Sequence, residues 1–310
     1  MTAMAPDPRL IKVEQCWICS GTDLATWSHE TFDMTWQVDP ILRSYHEKSF
    51  NLNRCSDCGF VQPESLPPES DFFDRLYSLD RGPQFCESEY VSTDRDLVFK
   101  TVLDDLAHRL SPDRRRLLDV GCADGRLLRY ATDAGWVASG IELNPAKAAF
   151  AERMTGRPVH QLNAKQFAAT GETFDAITLN DVLEHIPEPM HVLRDLRKIL
   201  SPGGWIAVKL PNGRNQWRKE RLKEMLTGQP TRVSMSLTHV NQFSPPTLKL
   251  ALERAGFANA TVGVAAPELF AASSGTSRLL RRVVYKLAKL PGGTRSPLTL
   301  NLQAYAQNPA

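Results

Sequence analysis

The sequence predicts an α/β protein: a doubly wound, mostly parallel sheet behind a small cysteine-bearing front module, closed by a C-terminal antiparallel strand. Three observations carry that prediction. From Arg116 onward, apolar stretches of strand length alternate with turn residues and helical spacing, the pattern of a parallel sheet with crossover helices. Four of the six cysteines stand ahead of that region in two close pairs. Residues 298–306 alternate apolar and polar side chains after a Pro-Gly-Gly break, as a last strand would. A chain of 310 residues has room for one large domain and a smaller module. Hydrophobic residues make up 42% and charged residues 23%, with a net charge of +2, which excludes a disordered chain. No apolar run nears the roughly 18 residues of a membrane-spanning helix. Residues 1–9 have neither an apolar core nor a small-residue cleavage site, so the expected compartment is cytoplasmic.

The front cysteines are Cys16 and Cys19, then Cys55 and Cys58, the last followed by Gly59. Two such knuckles without a secretory leader favour tetrahedral structural zinc over disulfides, because each turn presents two thiolates to one metal. Four thiolates leave no open coordination position, which argues against chemistry at that metal. The 35 residues between the knuckles leave room for a small sheet, to which 41–54 is expected to contribute, and Trp17 and Phe60 are expected to cover the site. Pro63, Pro67 and Pro68 read as a linker ending a zinc-binding module at 1–68. Beyond it, 69–80 and 88–110 have helical spacing, with Leu97, Val98, Val102 and Leu106 near one face, and Ser111 with Pro112 stops the last helix. This helical connector spans 69–111 and leads into a core at 112–265.

The first unit of the core carries the most information. Leu117, Leu118, Asp119 and Val120 form an apolar strand, Gly121 to Gly125 a small-residue turn, and Arg126 opens a helix. The second strand, 136–141, ends in Glu142, 21 residues past Gly121, where a carboxylate can accept both hydroxyls of a ribose. A dinucleotide fingerprint laid on Gly121 needs glycine at 123 and 126, where the chain has Ala123 and Arg126. The run Asp119-x-Gly121-x-Ala123-x-Gly125 instead resembles the first motif of class I S-adenosylmethionine-dependent methyltransferases, from which it departs by Ala123 in place of the middle glycine. The resemblance extends through Phe174 to Asn180 as the fourth strand, Asp181 to Ile186 after it, and Leu200 to Trp205 as the turn before the fifth strand. It covers about 112–265. The knuckles in front and Leu237 to Ser244 behind are similar to a bacterial subgroup that modifies sugars and other secondary metabolites, including sugar C-methyltransferases.

The resemblance implies a Rossmann-like fold that binds S-adenosylmethionine. Asp119, Gly121, Cys122, Ala123 and Gly125 would lie against the donor, Glu142 would bind its ribose, and Leu143 would pack on its adenine. Asn163 and Ala164 would sit at the adenine edge, although the more usual acid there is missing, and Asn180 and Asp181 would flank the methionine portion. His185 and His239 stand where an acceptor could be reached, and imidazole titrates near working pH, so either is a candidate general base. Capping or packing beneath the donor is an equal reading of His185. Asp181, Glu184 and His185 also resemble the carboxylate-x-x-Glu-His group that binds a divalent metal in ubiquinone-pathway O-methyltransferases.

The first 111 residues carry 10 Lys and Arg against 19 Asp and Glu, whereas the last 108 carry 15 against 4. An anionic partner for the basic end, or attraction between the two ends, explains this equally well. Lys209, Arg214, Arg218, Lys219, Arg221 and Lys223 follow the fifth strand. In the final segment, 266–310, residues 278–290 read as a helix with Leu279, Leu280, Val283, Val284 and Leu287 on one face and Arg278, Arg281, Arg282, Lys286 and Lys289 around the rest. It could rest on a membrane surface, meet a phosphate-bearing substrate, or pack by its apolar face. The expected function is methyl transfer to a small anionic or carrier-linked acceptor, a nucleotide-linked sugar or glycan intermediate. The alternatives are an RNA methyltransferase, disfavoured because only Trp217 and Tyr285 interleave with the basic runs, and a non-catalytic zinc-bearing interaction protein.

Overall fold

The computed structural model describes residues 8–69, 71–77, 83–228, 237–269, 275–289, 296 and 299–309. The front module comprises β1 (Ile11–Lys12), β2 (Leu24–Thr31), α1 (Pro40–Arg43), β3 (Ser49–Cys55), β4 (Val61–Pro63) and β5 (Ser65–Leu66). Strands β2, β3 and β4 form an antiparallel sheet, and β1 pairs with β5. Of the 41–54 stretch only the end is strand. Pro40 at the first helical turn and the Asp39 carboxylate, which accepts the Ile41 and Leu42 amides at 2.8 and 3.1 Å, start α1 there instead. Nor is the proline-rich stretch a linker. Pro63 lies opposite Leu52 on an edge strand, where a missing N–H is tolerated, and Ser65 and Leu66 pair with β1.

The connector holds α2 (Phe72–Tyr77), α3 (Pro83–Val91) and α4 (Asp96–Arg109), so the expected 88–110 helix is two helices. Part of the expected 69–80 helix lies outside the described residues. Then come β6 (Arg116–Val120), α5 (Arg126–Asp133), β7 (Val137–Ile141), α6 (Pro145–Thr155), β8 (Val159–His160), α7 (Ala164–Ala168) and β9 (Phe174–Asn180). A 3-10 turn at Leu183–His185 leads to α8 (Pro189–Ile199), β10 (Leu200–Pro211), α9 (Gly213–Thr227), α10 (Pro245–Arg254), β11 (Ala258–Val264), α11 (Gly275–Ala288) and β12 (Asn301–Gln307).

The seven-stranded sheet has the order β11-β12-β10-β9-β6-β7-β8, with β12 antiparallel to both neighbours. Successive strand residues bury opposite faces, as the two-residue period requires. Leu117, Ala176, Ala207 and Tyr305 pack toward α4 and α5, while Leu118, Ile177, Ile206 and Leu302 pack toward α7, α8 and α10. The chain enters at β6, winds outward to β8 and returns to β9 on the other side of β6. That reversal opens a crevice beyond the C-terminal ends of β6 and β9, where open α/β sheets bind ligands. Helix α11 does not pack as an ordinary amphipathic helix. Ala288 is buried, whereas Leu279, Leu280, Val283 and Leu287 face solvent beside Arg281, Arg282 and Lys286.

Candidate active site

The crevice at β6 is shaped by backbone that tolerates no added bulk. Gly121 has a φ of +68°, and a Cβ there would lie 2.7 Å from Val182 Cγ2; Gly125, φ +81°, precedes α5 against Ala151. Ala123 sits in the same left-handed region at φ +49°, which an L side chain adopts at a cost. Its N–H donates to Glu142 Oε2 at 3.0 Å, and the other oxygen of Glu142 accepts the Asn144 N–H at 2.9 Å. The acid at the end of β7 thus pins the turn after β6 while retaining lone pairs for a further donor.

Asp119, Gly121, Cys122, Ala123 and Asn180, with Arg95 opposite, line a cavity of about 240 Å³. Asn180 Nδ2 is buried there with no partner among the described residues, an orphaned donor that a ligand would satisfy. Asp119 accepts the Thr178 hydroxyl at 2.6 Å, and burial pushes its pKa up to about 7. Leu143 is 44% exposed just beyond the strand end. Asn163 and Ala164 are not among the lining residues. The Asn163 side chain caps α7, accepting the Gln166 N–H at 2.9 Å, and Ala164 is buried in the core. Asp181, at φ +55°, directs its carboxylate to Lys209 and Arg95.

Beside this cavity three distant segments meet. His185 Nδ1 donates to the Thr238 carbonyl, which leaves Nε2 as the bare ring nitrogen, 4.0 Å from Glu184 Oε1. The His185 and His239 rings lie 4.9 Å apart, and Tyr77, whose ring is 5.3 Å from His185, donates its hydroxyl to the same Thr238 carbonyl at 2.8 Å. Burial lowers the pKa of both imidazoles, His239 to about 3, and raises Glu184 to about 7. Neither carboxylate oxygen of Glu184 has a hydrogen-bond partner among the described residues. Glu184, His185 and His239 offer ligand atoms within 4.8 Å of one another, a spacing one divalent ion could span; Asp181 is not among them.

Lys209 is a buried cation. Its buried ammonium lies 2.7 Å from Asp181 and 2.9 Å from Glu268, and Arg95 joins the same two carboxylates. A lone lysine between Val208 and Leu210 in a buried strand was the signal, since a charge there must be paired. Arg95, Glu268 and Tyr77 had no comparable signal.

In the front module the Sγ atoms of Cys16, Cys19, Cys55 and Cys58 lie within 4.8 Å of one another, with Cys16 to Cys58 at 3.5 Å and Cys19 to Cys55 at 3.4 Å. Tetrahedral zinc with bonds of about 2.3 Å separates its sulfurs by roughly 3.8 Å, so the four thiols fit that ion.

A protein family described as "Methyltransferase domain" matches residues 94–262. The ubiquinone biosynthesis O-methyltransferase of Thiobacillus denitrificans is 35% identical over 100 residues, covering 30% of this chain and 42% of that protein. The protein of the same name from Parvibaculum lavamentivorans is 30% identical over 141 residues, covering 36% and 56%. The chain thus spans about half the length of these curated relatives. Among solved structures, the plantazolicin methyltransferase BpumL in complex with SAH has a TM-score of 0.52 at 14% identity, covering 77% of this chain and 94% of its own. A putative methyltransferase complexed with the Haloferax volcanii Trm112 activator gives 0.51 at 16% identity, covering 77% and 97%. At these identities the two structures share the fold.

Proposed function

Because the chain belongs to that family of methyltransferase domains, we propose that it transfers a methyl group from S-adenosylmethionine to a small anionic or carrier-linked acceptor, a nucleotide-linked sugar or glycan intermediate. The observation that carries the donor half is the cavity between the Gly121 turn and Asn180, with a buried amide inside that has no partner among the described residues, and with Glu142 bonded to the Ala123 N–H of its lining.

When bound, the donor supplies an electrophilic methyl on a cationic sulfur, and the protein must hold the acceptor in line with it. In this reading Gly121, Cys122, Ala123 and Gly125 allow close main-chain approach, and Glu142 accepts the ribose hydroxyls. Asp119 and Asn180 meet the methionine portion, and Leu143 covers the adenine. Asn163 uses its side chain as a cap, so the adenine-edge contact proposed for 163–164 falls to the main chain. Asp181 acts from behind, by fixing Lys209 and Arg95.

On the acceptor side, one neutral imidazole, that of His185 or of His239, takes the acceptor's proton. The Thr238 carbonyl fixes the His185 tautomer, and Glu184 stands 4.0 Å from Nε2 to offset the developing positive charge. A basic rim supports an anionic acceptor. Helix α9 starts at the C-terminal edge of the sheet, the Gly213 N–H donating to Phe243 at 2.7 Å, and exposes Arg214 and Arg218, which have no ion-pair partner among the described residues. Trp217, an aromatic that RNA could have stacked upon, instead packs on Trp27 at 4.9 Å, which disfavours the RNA reading. Structural zinc in the front module belongs to the same proposal, as does contact of α11 with a phosphate-rich surface through its outward apolar stripe and Arg281, Arg282 and Lys286.

Incubation with methyl-labelled donor and separate pools of nucleotide sugars, lipid-linked glycans and RNA tests the assignment. Label in the first two pools is expected, and label in RNA alone refutes the acceptor class.

A further inference from the structure

The front module and the acceptor site are mechanically continuous through β4. Gln62, fully buried, accepts the Trp17 N–H at 2.8 Å and donates to the Gln15 carbonyl at 2.9 Å, and so grips the first knuckle. Two residues past Cys58, the Phe60 carbonyl accepts the Cys55 N–H at 2.9 Å, and its ring packs on Phe243 at 5.1 Å. Val61 bridges Gln242, whose N–H donates to the Val61 carbonyl at 3.0 Å. The Gln242 side chain then donates to the His239 carbonyl at 2.8 Å. From the other side, the Asn241 N–H donates to the Glu184 carbonyl at 3.0 Å, and its side chain to Leu183 and Ile186 at 2.8 and 2.7 Å.

We propose that metal bound by Cys16, Cys19, Cys55 and Cys58 positions His239 against the acceptor, with Val61, Gln242 and Phe243 as the positioning residues. The proposal rests on the methyl-transfer reading for its consequence, but not for its geometry. Residues 238–243 belong to no helix or extended ladder; besides core packing of Val240 and Phe243, the Tyr77 hydroxyl on the Thr238 carbonyl and the Gly213 N–H on the Phe243 carbonyl, they are held by the bridge to β4 and the bonds to the 183–186 turn. Strand β4 in turn is three residues long and begins three residues after Cys58. A metal that locks both knuckles therefore fixes the strand against which Gln242 and Phe243 are seated. The donor side has no such tie: the Gly121 and Cys122 amides are fastened to Ile141 at 2.8 and 3.1 Å, within the sheet. Loss of the metal should loosen one side of the active site and leave the other in place.

The test is amide hydrogen exchange on the full chain with zinc, after removal of zinc by a chelator, and after zinc is restored, with S-adenosylhomocysteine binding measured by calorimetry in each state. Exchange at 238–243 should quicken at least about tenfold without metal and recover on refilling, while exchange at 121–125 and S-adenosylhomocysteine affinity stay within about twofold. Unchanged protection at 238–243, or equal loss in both segments, overturns the proposal. If the metal-free chain unfolds, Gln242→Ala with zinc retained provides the second test. Faster exchange at His239 and Val240 with unchanged zinc content and S-adenosylhomocysteine affinity supports the link, and no change overturns it. Failure to methylate any acceptor would sink the functional reading and still leave the exchange result decisive for the geometry.

Discussion

The donor and acceptor halves proposed for the cleft are built by different means. The donor half is contiguous main chain: the turn after β6, pinned by the acid that ends β7. The acceptor half proposed for it is assembled from side chains scattered over more than 160 positions of chain, Tyr77 and His185 meeting over the Thr238 carbonyl with the His239 ring against His185. A site made of backbone in a rigid turn tolerates side-chain change except where space is absent. A site made of converging side chains fails whenever one of its supports moves.

That contrast is broken or sharpened first by His239→Ala. Loss of a proton-accepting group is expected to lower turnover by about 10² to 10⁴-fold, with S-adenosylhomocysteine affinity preserved. Calorimetry finding that affinity also collapses would mean the two halves are not separable. Next, Glu142→Ala should weaken donor binding by about 1.5–3 kcal/mol, roughly 10 to 150-fold, because a charged acceptor of hydrogen bonds is lost. Equal affinity of wild type and variant would remove Glu142 from the site.

The third effect is pH dependence. Burial holds Asp119 protonated up to about pH 7, whereas a cationic donor prefers the carboxylate. Donor affinity should therefore rise toward about tenfold per pH unit as pH climbs from 5 to 7 and level off above it. Asp119→Asn should flatten that profile, and a wild-type profile that is already flat would contradict the contact. Without ligand the sign is opposite. A carboxyl whose folded pKa is raised stabilises the fold below its unfolded pKa, and that contribution is lost as pH rises through 7. The smallest effect belongs to Ala123→Gly. Relief of the left-handed strain, less the added freedom of the unfolded chain, should stabilise the protein by under about 1 kcal/mol, a rise of a few degrees at most in Tm. A clear fall in Tm would show that the turn is not strained.

These outcomes follow the line between what could and could not be read in advance. Gly121, Gly125 and Glu142 announce themselves because a tight turn before a helix, and an acid one strand later, are local requirements. The cysteine pairs do so because two thiolates three residues apart are a local geometry as well. Local composition also misleads: Pro63 reads as a linker and is an edge strand, while the Asn163 side chain, which the family resemblance implies at the adenine edge, caps a helix. Lys209 heads a run of basic residues, yet its apolar neighbours in β10 call for the buried partner it has.

The amino-acid order alone determined the alternation of strands and helices, the tight turn after β6 and the thiol set, since each depends on residues within one turn or one pair of neighbouring elements. Only the folded chain decided that Tyr77, His185 and His239 converge, that Lys209 finds Asp181 and Glu268, that α11 turns its leucines outward, and that β4 seats the segment bearing His239. Those placements depend on which surfaces are left to be buried once the sheet has formed, and local periodicity does not encode that choice.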